Sequence, residues 1–336
     1  MKKTSRILAA LLLCCMIFGS GAQAFAAERA PLFQYGWEDW NLKAQTDANG
    51  VWQYDMTCPE DDPTMEALQN YTLDIMAYCK ASEPEATTVT IRFPYPSFGS
   101  AEMMGPVADA VGTKSGLRAV ASPFLCLSSL RMKRGETSTE AILVLNVNNP
   151  YGASPYTKDI PFGDALGAAR GIAADIAAKT SDPREQVELI NRYLIDNTRY
   201  YYEYTGEQRQ VHSIVGALLK GEAMCAGYTN AVSALCHLLD IPCYQIDDPI
   251  NRHTWNVVKV DGKWLMLDTT FNDTGMGRTR FFLKARFGFE YHAYTEELLA
   301  TLEGLAESLW QRSAAAEAAM QGAAIGLGPM AGDSHG

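Results

Sequence analysis

Cys225, His253 and Asp268 are three residue types that cooperate in thiol chemistry, and the stretch from Met224 to Asp273 holds all of them. A cysteine thiolate is a strong nucleophile, an imidazole can take its proton and return it to a leaving amine, and a carboxylate can fix the imidazole tautomer. Such a set attacks an amide or ester carbonyl and passes through a thioester. Each residue alone is more often structural: a buried thiol, a strand histidine, an aspartate capping a turn. The joint arrangement carries the functional reading.

The elements that must position the three residues can be read from local pattern. From Tyr228 the apolar residues fall at 228, 232, 235, 236 and 239, a helical stripe that ends near Asp240 because Pro242 cannot continue it. Cys225 then lies at the helix N-terminus, where the positive end of the helix dipole favours a thiolate and free N–H groups can receive an oxyanion. Asp261-Gly262 separates two β-prone runs, 253–260 and 263–269, and predicts a two-residue type I′ hairpin. Val260 then pairs with Lys263, Trp255 faces Asp268, and His253 shares a sheet face with Asp268 at a diagonal separation of roughly 7–8 Å. A one-residue bulge would break that alignment. His212, ahead of the cysteine, is a rival base without a predicted strand partner.

Gly221-x-x-x-Cys225-x-Gly227-Tyr228, then Ile241-Pro242-Cys243, His253-x-Trp255-Asn256-x-Val258, Asp261-Gly262-Lys263-Trp264 and Asp268-x-Thr270-x-x-Asp273 follow one another in order. This series resembles the transglutaminase-like superfamily of papain-like thiol enzymes over roughly 165–292. The resemblance implies Cys225 as nucleophile, His253 as base and Asp268 as orienting carboxylate. Thr254, Asp240 and Phe271 depart from the family's usual Ala, Gly and Trp, none of them at a working position. Tyr202, in the aromatic run Arg199 to Tyr204, together with Tyr228 and Trp255, supplies candidate substrate contacts; packing is the competing reading of that run.

Around this core, residues 1–27 read as a secretory signal: Lys2, Lys3 and Arg6, an apolar run from Ile7 to Phe18, and small residues flanking Gln23 or Phe25. Residues 28–155 read as a smaller α+β N-terminal domain. Its expected strands are 51–57 and 87–95, its helix 63–80, and its hairpin 124–133 with 141–147. No histidine precedes His212, so this region offers no catalytic set. The core spans 156–294, with helices at 162–180 and 181–197 and a further strand at 281–283, followed by His292. A C-terminal helix at 295–321 and a flexible Gly/Ala-rich tail at 322–336 complete the reading.

A formal charge of −11 and a pI near 5 exclude nucleic acid and anionic lipid as expected partners. After signal removal six cysteines remain: 58, 79, 126, 225, 236 and 243. With Cys225 kept free, at most two bridges can form, and Cys58–Cys79 and Cys236–Cys243 are possible pairs. No metal site and no cofactor are expected. The expected fold class is α+β, with helices on an antiparallel sheet, papain-like. The expected protein is a secreted, cysteine-dependent acyltransferase or amidohydrolase acting on peptide or protein amides. The alternative is a catalytically silent binding or scaffolding protein of the same fold, and a third reading is an arylamine acetyltransferase-type enzyme.

Overall fold

The computed structural model describes residues 161–326, apart from 204–208, 276 and 289–290, and segments of the chain between 43 and 147. The proposed signal at 1–27 and Cys58 and Cys79 lie outside the described residues.

Strands β1 (Lys43–Thr46), β2 (Trp52–Thr57), β3 (Thr87–Tyr95), β4 (Leu125–Arg134) and β5 (Thr139–Val147) form one sheet in the order β1-β2-β3-β5-β4. β2 and β3 run parallel, and β4 and β5 pair antiparallel with a register shift between Leu127 and Ser129. A short helix, α1 (Leu117–Ala121), precedes β4. Lys80 bonds Asp240 at 2.8 Å, so this part of the chain contacts the segment that follows the cysteine helix.

The core begins with α2 (Phe162–Lys179), whose buried residues 162, 165, 166, 169, 173 and 176 form one stripe. Helix α3 (Pro183–Asn197) starts as its sequence dictates. The Asp182 side chain accepts from the Glu185 N–H at 2.9 Å, Pro183 occupies the first turn, and Val187, Ile190 and Leu194 are buried. The aromatic run contributes only β6 (Arg199–Tyr200), paired parallel with β7 (Glu222–Ala223). Between them the chain makes a 3₁₀ turn at Arg209–His212 and a π-helix at Val215–Lys220.

Helix α4 (Cys225–Leu238) lies across a three-stranded antiparallel sheet of order β10-β9-β8. The strands are β8 (Cys243–Asp248), β9 (His253–Val260) and β10 (Lys263–Leu267). The β9–β10 hairpin turns at Asp261 and Gly262, with φ of 53° and 71°, and Val260 faces Lys263 as the Asp-Gly pair predicts. β9 is the middle strand, and its residues from Thr254 to Val258 are all buried. Cys236 and Cys243 are both buried free thiols, not a bridge.

Two expected elements differ. Residues 281–283 do not form a strand: Leu283 has φ 48°, and only an isolated bridge between Met266 and Lys284 touches β10. Instead Asn272 takes up the backbone, its Oδ1 accepting the Phe281 N–H at 2.9 Å, so this stretch folds as turns. The terminal helix, α6 (Glu296–Gly326), runs five residues past the expected stop at 321, because the alanine-rich sequence there sustains a helix through its glycines. Residues 327–336 of the expected tail are outside the described residues. No helix of the described residues is long and apolar enough to cross a membrane.

Gly227 marks the tightest junction near Cys225. A Cβ there would lie 2.4 Å from the Val211 carbonyl oxygen and 2.8 Å from the Ala223 Cβ. Gly227→Ala is therefore expected to lower stability by about 1–3 kcal/mol through overpacking. Urea denaturation with an unchanged midpoint would show that this junction relaxes freely.

Candidate active site

The N-terminus of α4 puts Cys225 at its first position, partly exposed and unbridged. Met224 precedes it in extended conformation, and no side chain caps the terminus. The placement is fixed from two directions. Met224 N–H donates to Val211 O at 2.9 Å, tying the helix start to the 3₁₀ turn. Along the helix, the Asn256 side chain of β9 donates to Thr229 O at 3.1 Å and to Ser233 Oγ at 2.9 Å. Thr229 Oγ1 donates to Thr254 O at 3.0 Å, and Gln245 Nε2 donates to Ser233 Oγ at 3.0 Å. Buried polar groups that satisfy one another in this way specify a single docking of helix on sheet.

His253 opens β9, with its side chain 8% exposed. Its Nε2 lies 2.6 Å from Asp268 Oδ2, which leaves Nδ1 as the other ring nitrogen, and Cys225 is among the groups that act on the imidazole. Phe271 stacks on the imidazole at 4.5 Å between centroids and 11° between planes. Asp268 follows β10 and caps the short helix α5 (Thr269–Asp273), its Oδ1 accepting the Phe271 N–H at 2.9 Å. Asp268 thus caps α5 with one oxygen and meets the His253 imidazole with the other.

His292 is the residue that the sequence reading left without a role. It is wholly buried, and its Nε2 lies 2.9 Å from the same Asp268 Oδ2. No spacing rule connects it to Cys225, His253 and Asp268; the signal is its place in the aromatic-rich stretch from Phe287 to Tyr294. The two imidazoles and the carboxylate lie within 4.8 Å of one another, a donor set that a divalent cation can use. The 2.6 and 2.9 Å separations are those of charge-assisted hydrogen bonds, and the cluster is read as such.

Burial opposes charge on both working partners, yet both shifts go the other way. Desolvation lowers His253, but the bonds to Asp268 and Cys225 outweigh it and push the imidazole up to about 9. Desolvation raises Asp268, but His253, His292 and the Phe271 N–H hold the carboxyl below its ordinary range.

The candidate substrate contacts separate. Tyr228 is 1% exposed, and its hydroxyl is engaged by Asp273. Trp255 is also 1% exposed, edge-on to His292 at 4.6 Å. Both are core residues, because β9 is the middle strand and Tyr228 lies on the buried face of α4. Tyr202, 77% exposed, lines a cavity of about 680 Å³ with Tyr200, Arg199, Thr198, Gly221 and Asp273. The Tyr200 and Tyr202 rings are 4.8 Å apart. His212 is partly buried on the 3₁₀ turn, and desolvation lowers its imidazole below the ordinary value, whereas Asp268 and Cys225 raise that of His253 against desolvation.

Because the folded protein holds His253 near 9 against an ordinary 6.5, the bonds it makes stabilise the fold fully below about pH 6.5. That contribution, on the order of 3 kcal/mol, is lost as pH rises through 9. Urea unfolding between pH 6.5 and 9.5 is expected to give falling stability in the wild type and a flatter profile in His253→Gln. Parallel profiles would contradict the assignment.

The sequence profile of the transglutaminase-like superfamily matches residues 170–269. No curated protein matches the chain. Among solved structures, one described as a TGase is 19% identical, with a TM-score of 0.32 over 61% of this chain and 56% of that one. A proposed cysteine protease from Cytophaga hutchinsonii is 13% identical, with a TM-score of 0.25 over 46% of this chain and 69% of its own. This chain therefore spans little more than half of the TGase it resembles. Residues 170–269 belong to a transglutaminase-like domain, in a core of helices packed on an antiparallel sheet.

Proposed function

We propose that the protein is a cysteine-dependent enzyme that acts on amide bonds of peptides or proteins, exported by the segment 1–27. The observation that carries the reading is the His253 imidazole 2.6 Å from the buried Asp268 carboxylate, with Cys225 at the start of α4 among the groups that act on that ring. With the proton already on His253 Nδ1, the Cys225 thiolate attacks the amide carbonyl carbon beside the imidazolium. The carbonyl π pair moves onto oxygen, beside the uncapped start of α4. When the tetrahedral intermediate collapses, the C–N bond breaks, His253 returns the proton to the departing amine, and a thioester remains on Cys225. A second amine or a water then adds to that carbonyl, with His253 accepting its proton, and releases the thiol. Asp268 keeps Nε2–H directed and supports the imidazolium throughout.

We favour acyl transfer to an amine over hydrolysis, on the family likeness; water resolves the same thioester at any open site. The open cavity that Tyr200 and Tyr202 line among polar residues is our candidate wall for a peptide substrate.

The test incubates the full protein with a glutamine-rich protein and a primary amine and reads the products by mass spectrometry. Amine incorporation, deamidation or cleavage is expected, and Cys225→Ala should reduce it by several orders of magnitude. Iodoacetamide at mildly acidic pH should alkylate Cys225 selectively, and lose that selectivity in His253→Ala. No product together with unselective alkylation would sink the reading and favour a non-catalytic scaffold of the same fold.

A further inference from the structure

We propose that His292 is a positioning residue of this thiol site, its Nε2–H holding the same Oδ2 of the Asp268 carboxylate that His253 meets, as a fixed, ionised acceptor. The inference rests on the reading of Cys225 and His253 as the working pair. Three donors converge on Asp268: the Phe271 N–H on Oδ1, and the two imidazoles on Oδ2. His253 is the donor whose proton inventory changes during the proposed reaction. Phe271 N–H and His292 are the donors that stay.

The surroundings of His292 make a packing role a poor explanation. Phe287 lies 4.3 Å from its ring, Trp255 4.6 Å, Phe271 5.3 Å and Phe281 5.4 Å, centroid to centroid. An apolar ring in that space would leave no polar atom stranded. The imidazole leaves one, because its Nδ1 is buried without a hydrogen-bond partner. A stranded nitrogen is tolerable where the other nitrogen makes a bond the site needs, and that bond goes to Asp268. The segment is also pinned at the next residue: Asp248 Oδ2 accepts the Ala293 N–H at 2.6 Å, while Asp248 Oδ1 holds the turn at Ile250 and Asn251. β8 thereby fixes where His292 presents its N–H.

The consequence is electrostatic. A second N–H on Oδ2 stabilises the anion and competes with His253 for the same oxygen. Deleting it raises the proton affinity of the His253–Asp268 pair, whichever residue then carries the proton. The other ionisable groups around the pair are Cys225 on α4, Tyr200 on β6 and Asp248, in register with His253 on β8. His292→Phe leaves all of them in place.

The experiment is an NMR titration of the His253 ring in the full chain, wild type against H292F and H292Q. H292F is expected to raise the titration midpoint by about one pH unit, and H292Q, which keeps a side-chain N–H, to stay near wild type. An unchanged or lowered midpoint in folded H292F, with only a lower Tm, would assign His292 to packing and overturn the proposal. If H292F does not fold, the ring nitrogen shifts of His292 in the wild type decide: a proton on Nε2 with a bare Nδ1 supports it, and the opposite tautomer overturns it. Iodoacetamide labelling of Cys225 in the wild type is read separately, so failure of the enzymatic reading stays distinct from failure of this one.

Discussion

A carboxylate with 1% exposure is the constraint around which the site is built. Taking such a charge out of water costs several kcal/mol unless hydrogen bonds replace its hydration. Asp268 collects those bonds locally from α5 through its first-turn N–H, across the hairpin from the start of β9 through His253, and from the chain after Lys284 through His292. The carboxylate thereby ties the closure of the domain to the assembly of the site.

The second requirement is that α4 dock on β9 in one way only. Apolar packing is tolerant of small slides; hydrogen bonds between buried groups are not. Asn256 bridges from the middle strand to two positions one turn apart on the helix, and Gln245 reaches Ser233 from the neighbouring strand. A helix slid by one residue would strand these groups without partners, at about 1–3 kcal/mol for each. The distance between a helix-borne sulfur and a strand-borne ring is set by this polar seam rather than by the aliphatic core beneath it.

What could be read ahead of the structure was what local chemistry decides. Asp261-Gly262 requires positive φ at both residues, so the hairpin, its register and the common face of His253 and Asp268 followed from one dipeptide. The stripe after Cys225 and the Asp182-Pro183 start of α3 were legible for the same reason. Burial of Tyr228 and Trp255 was not, since an aromatic beside a working residue reads equally as wall or core until the layers are known. The stretch 281–283 failed differently: Phe-Phe-Leu has strand propensity, but the Asn272 side chain captures the Phe281 N–H and turns the chain away. His292 was beyond local reading altogether, because its meaning depends on a carboxylate 24 residues earlier.

The two oxygens of Asp268 divide a helix cap from the contact with the imidazoles. Oδ1 caps α5, a contribution of about 1 kcal/mol that any Asp, Asn or Ser at a helix start can make. Oδ2 faces the imidazoles and needs full negative charge. Asparagine can preserve the cap through its carbonyl, but it then turns an amide N–H toward two ring N–H donors. Such a side chain keeps the helix while reversing the polarity that His253 meets, and the imidazole answers by changing tautomer or turning away. The acidic side chain at this position therefore follows from the imidazoles it faces, whereas the fold alone would accept its amide.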